Sequence, residues 1–80
     1  MKNKYFTLSE LEQGKKGVIA LLKTKGTLKR RLMDVGFIEG ADISCVLASP
    51  LGDPKAYWVR GSLIALRKED SDKILIRNIR

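Results

Sequence analysis

Histidine is missing from this 80-residue chain, and cysteine occurs once, at Cys45. Without histidine the commonest general base of enzymes is absent, so no enzymatic activity is expected. A single cysteine cannot close an intrachain disulfide, and a thiol left free suits a reducing compartment. There is no GxxxxGK[ST] phosphate loop, so the chain is not expected to bind GTP itself. Long hydrophobic runs are lacking too. The longest, Val18 to Leu22, falls far short of the roughly 20 apolar residues that a membrane-crossing helix needs. The N-terminal MKNKYFTLSE has no signal-peptide apolar stretch. These absences leave a single cytoplasmic domain over residues 1–80.

What is present is a modest apolar fraction of 44%, sufficient for a globular fold. A domain of this size buries only about 60% of the surface its unfolded chain exposes, so an economical layout is required. Sixteen Lys and Arg against nine Asp and Glu give a net charge of +7, which favours acidic partners of some kind. The charge is diffuse, and its only tight cluster is Lys29-Arg30-Arg31.

Glycine and proline cut the chain into short pieces, the pattern of a small β-barrel. Thr7-Leu8-Ser9-Glu10 fits a capping box around one turn, with Leu8 and Leu11 sealing the core and Gly14 ending the turn. Lys16–Lys23 reads as a strand. Ala41–Ala48 alternates, with Ile43, Cys45 and Leu47 on one face. Ser49–Pro54 is a loop, since its prolines cannot sit in a central strand. Ala56–Arg60 and Ser62–Arg67 are two more strands around Gly61, Lys68–Asp72 is a polar helical turn, and Ile74, Ile76 and Ile79 mark a last strand. Five strands result.

Between the first two strands lies a helix. Thr27 suits its N-cap, and Leu28, Leu32 and Val35 follow on one face. Gly36 suits the left-handed residue beyond the last turn, and Phe37 then folds back on Leu32 in a Schellman-type stop. Arg30 and Asp34 are spaced for an i, i+4 pair worth about 0.3–0.5 kcal/mol. Arg31 borders the apolar stripe. Met33 lies outside that stripe, where an adaptable apolar side chain suits a partner contact.

Arg31-Leu32-Met33-Asp34, Gly36-Phe37, Gly40, Pro50-Leu51-Gly52-Asp53-Pro54, Val59-Arg60-Gly61 and Leu66-Arg67-Lys68-Glu69 occur in one order over nearly the whole chain. This ordered set resembles the FeoA family, small cytosolic proteins of bacterial ferrous iron uptake, and the resemblance, running from about Thr7 to Ile79, implies a domain core in about 7–79. The resemblance implies a mainly β, SH3-like barrel with one or two short α-helices. It also implies a regulatory role beside FeoB, the membrane transporter for Fe(II) that carries a cytosolic GTP-hydrolysing domain. Membrane association is then expected only through that partner.

The residues themselves weigh the possible chemistries. Iron(II) takes imidazole, carboxylate and thiolate ligands in convergent sets. Here one cysteine and scattered carboxylates offer no such set, so neither a cofactor nor a tight intrinsic metal site is expected. Any transition-metal association implied by the family enters through the partner or through the likeness of the barrel to the C-terminal domain of iron- and manganese-dependent repressors. Cys45 reads as a small buried hydrophobe. A small basic barrel that binds nucleic acid is the alternative reading. It needs aromatic stacking platforms, whereas Tyr57 and Trp58, adjacent on one strand, face opposite ways with one in the core.

Protein docking has the best local features. Lys29, Arg30 and Met33 supply steering charge and an adaptable contact. Pro50, Leu51, Gly52, Asp53 and Pro54 place an apolar residue on a loop stiffened by two prolines, which lowers the ordering cost of binding. Leu51 either presents itself there or folds back over the barrel end. The two segments are expected to lie on one side of the barrel. Arg30 or Arg31 acting as an inserted arginine is the less favoured route, given the intrahelix partner of one and the stripe position of the other.

Overall fold

A computed structural model describes residues 5–78. Six strands form one antiparallel sheet: β1 (Tyr5–Thr7), β2 (Lys16–Leu22), β3 (Asp42–Ala48), β4 (Lys55–Val59), β5 (Ser62–Leu66) and β6 (Ile74–Asn78). Their order is β1-β6-β2-β3-β4-β5. A 3₁₀ turn (Leu8–Glu10) follows β1, helix α1 (Gly26–Val35) joins β2 to β3, and a single turn, α2 (Lys68–Ser71), leads into β6. The architecture is the expected small β fold with two short helices, with β1 as an added strand. Three residues are too few to show a strand period. β1 exists through its long-range pairing, Phe6 opposite Ile76 and Thr7 opposite Leu75. The expected strand residue Ile79 lies outside the described residues.

The sheet curls where the 3₁₀ turn crosses its far half. Lys55 Nζ donates to the carbonyls of Ser9 at 2.8 Å and Leu11 at 3.1 Å, and the Tyr57 hydroxyl donates to the Leu8 carbonyl at 3.4 Å. These bonds hold the segment after β1 against β4 and enclose the core. Leu8, Ile19, Phe37, Tyr57, Val59 and Ile74 are fully buried there, each contributing on the order of 1.5–3 kcal/mol of hydrophobic stabilisation. The Thr7 N–H donates to Glu10 Oε1 at 3.3 Å, the backward half of the expected capping box. The turn itself stops at Glu10, four residues before Gly14.

Two irregularities in the ladders matter for the surface. The β2–β6 register shifts between Ile19 and Leu21, and the β3–β4 register between Cys45 and Leu47. An extra residue in one strand reverses the alternation beyond it. Leu47, expected on the inner face with Ile43 and Cys45, is therefore turned out and 59% exposed. Leu21 is likewise exposed while Leu22 is buried.

Helix α1 begins earlier than its sequence suggests. Lys25 is the N-cap, Thr27 sits inside the first turn, and no side chain caps this end. Its other end stops as expected. The Phe37 N–H reaches the Leu32 carbonyl at 2.9 Å and the Gly36 N–H reaches Met33 at 3.1 Å, the two bonds of a Schellman motif. Gly36 has φ +117°, and a Cβ there would lie 2.9 Å from the Cβ and Cδ of Arg60. The position thus excludes other residues both by conformation and by space. Arg60 and Gly61, with φ +47° and +85°, make the tight turn between β4 and β5. The Arg30–Asp34 pair does not form. Both side chains are exposed, and the one salt bridge among the described residues is Lys68–Asp72 at 3.0 Å.

Candidate protein-docking site

β3 separates the two segments singled out for docking. α1 leads into its first residue, Asp42, and the 49–54 loop leaves its last, Ala48. Seven extended residues span roughly 20 Å. The helix end also packs on the Arg60 turn, whereas the loop packs on α2, at the far end of β5. The structure therefore does not bring the two segments to one side. Successive antiparallel connections alternate between the ends of a sheet, and these two connections are successive.

At the helix end, Lys29, Arg30 and Met33 do come together. With Gly26 and Asp34 they line an open depression of about 360 Å³. Met33 is 46% exposed and also borders a neighbouring depression of about 160 Å³ shared with Leu21, Ile38, Lys29 and Phe37. Met33, Leu21 and Ile38 thus form an exposed apolar group with lysine at its rim. Sequence reading found Met33 and missed Leu21 and Ile38. Leu21 reads as one more apolar residue of a strand, and only the bulge turns it outward. Ile38 lies beyond the helix stop, where no periodicity assigns a face. Arg31 is exposed on the helix surface.

At the loop end, Leu51 is 94% exposed and does not fold back over the barrel. Pro50, Gly52, Asp53 and Pro54 are exposed around it. Asp53 has structural work as well: its Oδ1 accepts from the Lys68 N–H at 2.8 Å, tying the loop to the start of α2. Ser49 and Gly52 close the turn through a 2.8 Å backbone bond. Beneath the loop a small cavity of about 180 Å³ is lined by Gly52, Asp53, Lys55, Tyr57, Lys68 and Ser71. Burial pushes the Tyr57 phenol up to about 12, with Ser71 opposing by a hydrogen bond. Asp72 is held below the usual carboxylate range by its hydrogen bond from Ser9 and by Lys68.

A third apolar surface lies on the outside of the sheet. Trp58 on β4 pairs across to Leu63 on the edge strand β5, and both are exposed. Tyr57 is wholly buried, so the two adjacent aromatics face opposite ways and form no joint stacking platform. Cys45 is buried, with its thiol raised by burial and partly offset by Lys55, a poor nucleophile. Among the described residues no three His, Cys, Asp or Glu side chains converge as a metal site. No helix among them is long and apolar enough to cross a membrane.

Fold and surface together define a small SH3-like barrel whose exposed features suit contact with another protein. The FeoA domain family model matches residues 6–78, and the chain belongs to that family. A relative from Porphyromonas gingivalis, an Fe(2+) transport protein A/Fe(2+) transporter FeoB fusion protein, is 36% identical over 72 residues. That match covers 90% of this chain and 8% of the fusion protein, so the chain spans a small fraction of its relative. The FeoA protein of Chlorobium tepidum superposes with a TM-score of 0.88 at 29% identity, covering 94% of this chain and 71% of the other. The zinc complex of Stenotrophomonas maltophilia FeoA gives 0.76 at 27% identity, covering 89% and 88%. That protein is described as a prokaryotic SH3 domain protein and a candidate ferrous iron transport activating factor.

Proposed function

We propose that this protein is a cytoplasmic accessory of ferrous iron uptake that docks on the FeoB transporter and adjusts its GTP cycle or its assembly. The observation that carries the reading is the Porphyromonas gingivalis relative, in which an FeoA segment and FeoB are parts of one chain. Covalent linkage of two proteins raises their effective concentration, which rewards a contact between them. The surface supports the same reading. Met33, Leu21 and Ile38 offer an apolar contact on rigid elements, and Lys29 and Arg30 beside them steer an acidic partner. Leu51, with Pro50, Gly52, Asp53 and Pro54, is a second contact at the other end of β3. Asp53 serves there mainly by holding the loop, through its bond to Lys68.

An amide NMR titration with the soluble GTPase domain of FeoB at physiological salt tests this, with a short RNA in parallel. Shifts at residues 21, 29–33 and 38 are expected, and shifts at 50–54 if the loop joins the contact. Silence with the GTPase domain and with the full transporter in detergent would end the docking reading. A response to RNA alone would replace it with nucleic-acid binding.

A further inference from the structure

A cavity of about 410 Å³, lined by Lys23, Thr24, Lys25, Leu28 and Lys73, opens beside the start of α1. Its volume falls within the roughly 300–1,000 Å³ of small-molecule sites. Three of its five lining residues are lysines and none is a carboxylate. The Lys23 N–H donates to the Lys73 carbonyl at 2.6 Å, which fixes the exit of β2 against the entry to β6 and gathers the charges. None of the three lysines takes part in a salt bridge among the described residues.

Two further features converge there. The ten-residue α1 starts at this point with no side-chain cap. Its first N–H groups, from Gly26 to Leu28, thus have no intrahelical acceptor, and its dipole favours an anion. Thr24 is 3% exposed, yet its Oγ1 has no hydrogen-bond partner. A buried hydroxyl without a partner costs stability unless something else satisfies it. Lysines, free N–H groups and an unpartnered hydroxyl are all hydrogen-bond donors, and their common complement is a multiply charged oxyanion.

We propose that this cavity is a phosphate-binding site, taking the phosphomonoester group of a small soluble ligand or of a phospholipid headgroup. The phosphate oxygens accept from the N–H groups at the start of α1 and from Thr24 Oγ1, with Lys23, Lys25 and Lys73 neutralising the charge. The proposal does not rest on the docking reading; the site shares Gly26, at the start of α1, with the depression beside Met33, but none of its five lining residues belongs to that depression.

The test is an amide NMR titration of the whole chain with inorganic phosphate, against sodium chloride at matched ionic strength. Saturable shifts at Thr24, Gly26, Thr27 and Leu28 are expected with phosphate alone. Lys25→Gln combined with Lys73→Gln should weaken binding about tenfold, since hydrogen bonds to charged groups are the stronger ones. Thr24→Val should weaken it severalfold. The lysines are exposed, so the double variant stays informative even if Thr24→Val fails to fold. Sedimentation with phosphatidylcholine vesicles, with and without phosphatidic acid, separates the two sources. Binding that needs phosphatidic acid and is lost in the lysine variant supports the site with a lipid headgroup as ligand. Phosphate binding without vesicle binding supports it with a soluble one. Shifts equal to those in chloride, or affinity unchanged in the lysine variant, would overturn the proposal.

Discussion

The helix end and the loop end of β3 both expose apolar side chains, but they do so by different means. At the helix end Met33, Leu21 and Ile38 are partly covered and rest on the fully buried Phe37. At the loop end Leu51 stands almost free on a turn held by Asp53 and the Ser49–Gly52 bond. The first surface is continuous with the core, so its shape depends on the packing that stabilises the fold. The second is a single side chain on a bracket, and changing it leaves the core untouched. Stability and docking are thus entangled at one end and separable at the other.

The largest effect is expected from breaking the helix end at its base. Phe37→Ala removes a fully buried ring and should lower unfolding free energy by about 3–5 kcal/mol, read as a fall in the urea midpoint. A loss under about 1 kcal/mol would mean that the helix stop is not a structural keystone. The proposed contact at Met33, Leu21 and Ile38 should weaken with it, since the same ring lines the depression those side chains border.

Alkali should distinguish the loop end. The Tyr57 phenol beneath it is raised by burial from 10.0 to about 12. The folded state therefore holds the phenolic proton more tightly than the unfolded chain, and stability falls as pH rises from about 10 through about 12. Below that window the contribution is fully present. Denaturant midpoints measured across it should decline more steeply in the native sequence than in Tyr57→Phe. Equal slopes would show that the cavity hydrates freely.

Much of this contrast was legible in the residues, and what was not has a physical cause. The Schellman stop was readable because Leu32, Gly36 and Phe37 interact within one turn, and local chemistry decided it. The Gly61 turn and the Ser49–Pro54 loop followed for the same reason. The start of α1 differs because Thr27 has cap chemistry, while tertiary context carries the helix two residues further back, to an N-cap at Lys25. Leu47 is turned from its expected face, and the outward turn of Leu21 has no signal in the sequence, because a register shift is a property of two paired strands, invisible in either alone. The same holds for β1. The candidate contacts Lys29, Arg30 and Met33 converge because helix spacing alone places them. Their separation from Leu51 depends on sheet topology, which no local pattern encodes.

A smaller effect should come from releasing the bracket. Asp53→Ala removes the acceptor of the Lys68 N–H and should cost about 1 kcal/mol, as helix-cap losses do. Amide exchange at Lys68 should accelerate while exchange in α1 stays as it was. Unchanged exchange at Lys68 would remove Asp53 from its holding role.

The smallest change in stability should belong to Leu51→Ser, within about 0.5 kcal/mol, because the side chain is 94% exposed. Its effect on docking is what separates one contact from two. Sites more than about 10 Å apart contribute additively when they share no partner groups, and the two ends of β3 are separated by more than that. If one FeoB surface spans both ends, Leu51→Ser and Met33→Ser should each weaken binding, and the double variant should show the product of the two fold-changes. A standard interface of about 800 Å² per partner is large enough to cover that span on a chain whose longest extent is 34 Å. If Leu51→Ser leaves affinity unchanged while Met33→Ser lowers it, the loop is excluded from the contact and the helix end alone is the docking surface. The reverse result would shift the contact to the loop, where a lone leucine would then have to act as an anchor seated in a pocket of the partner.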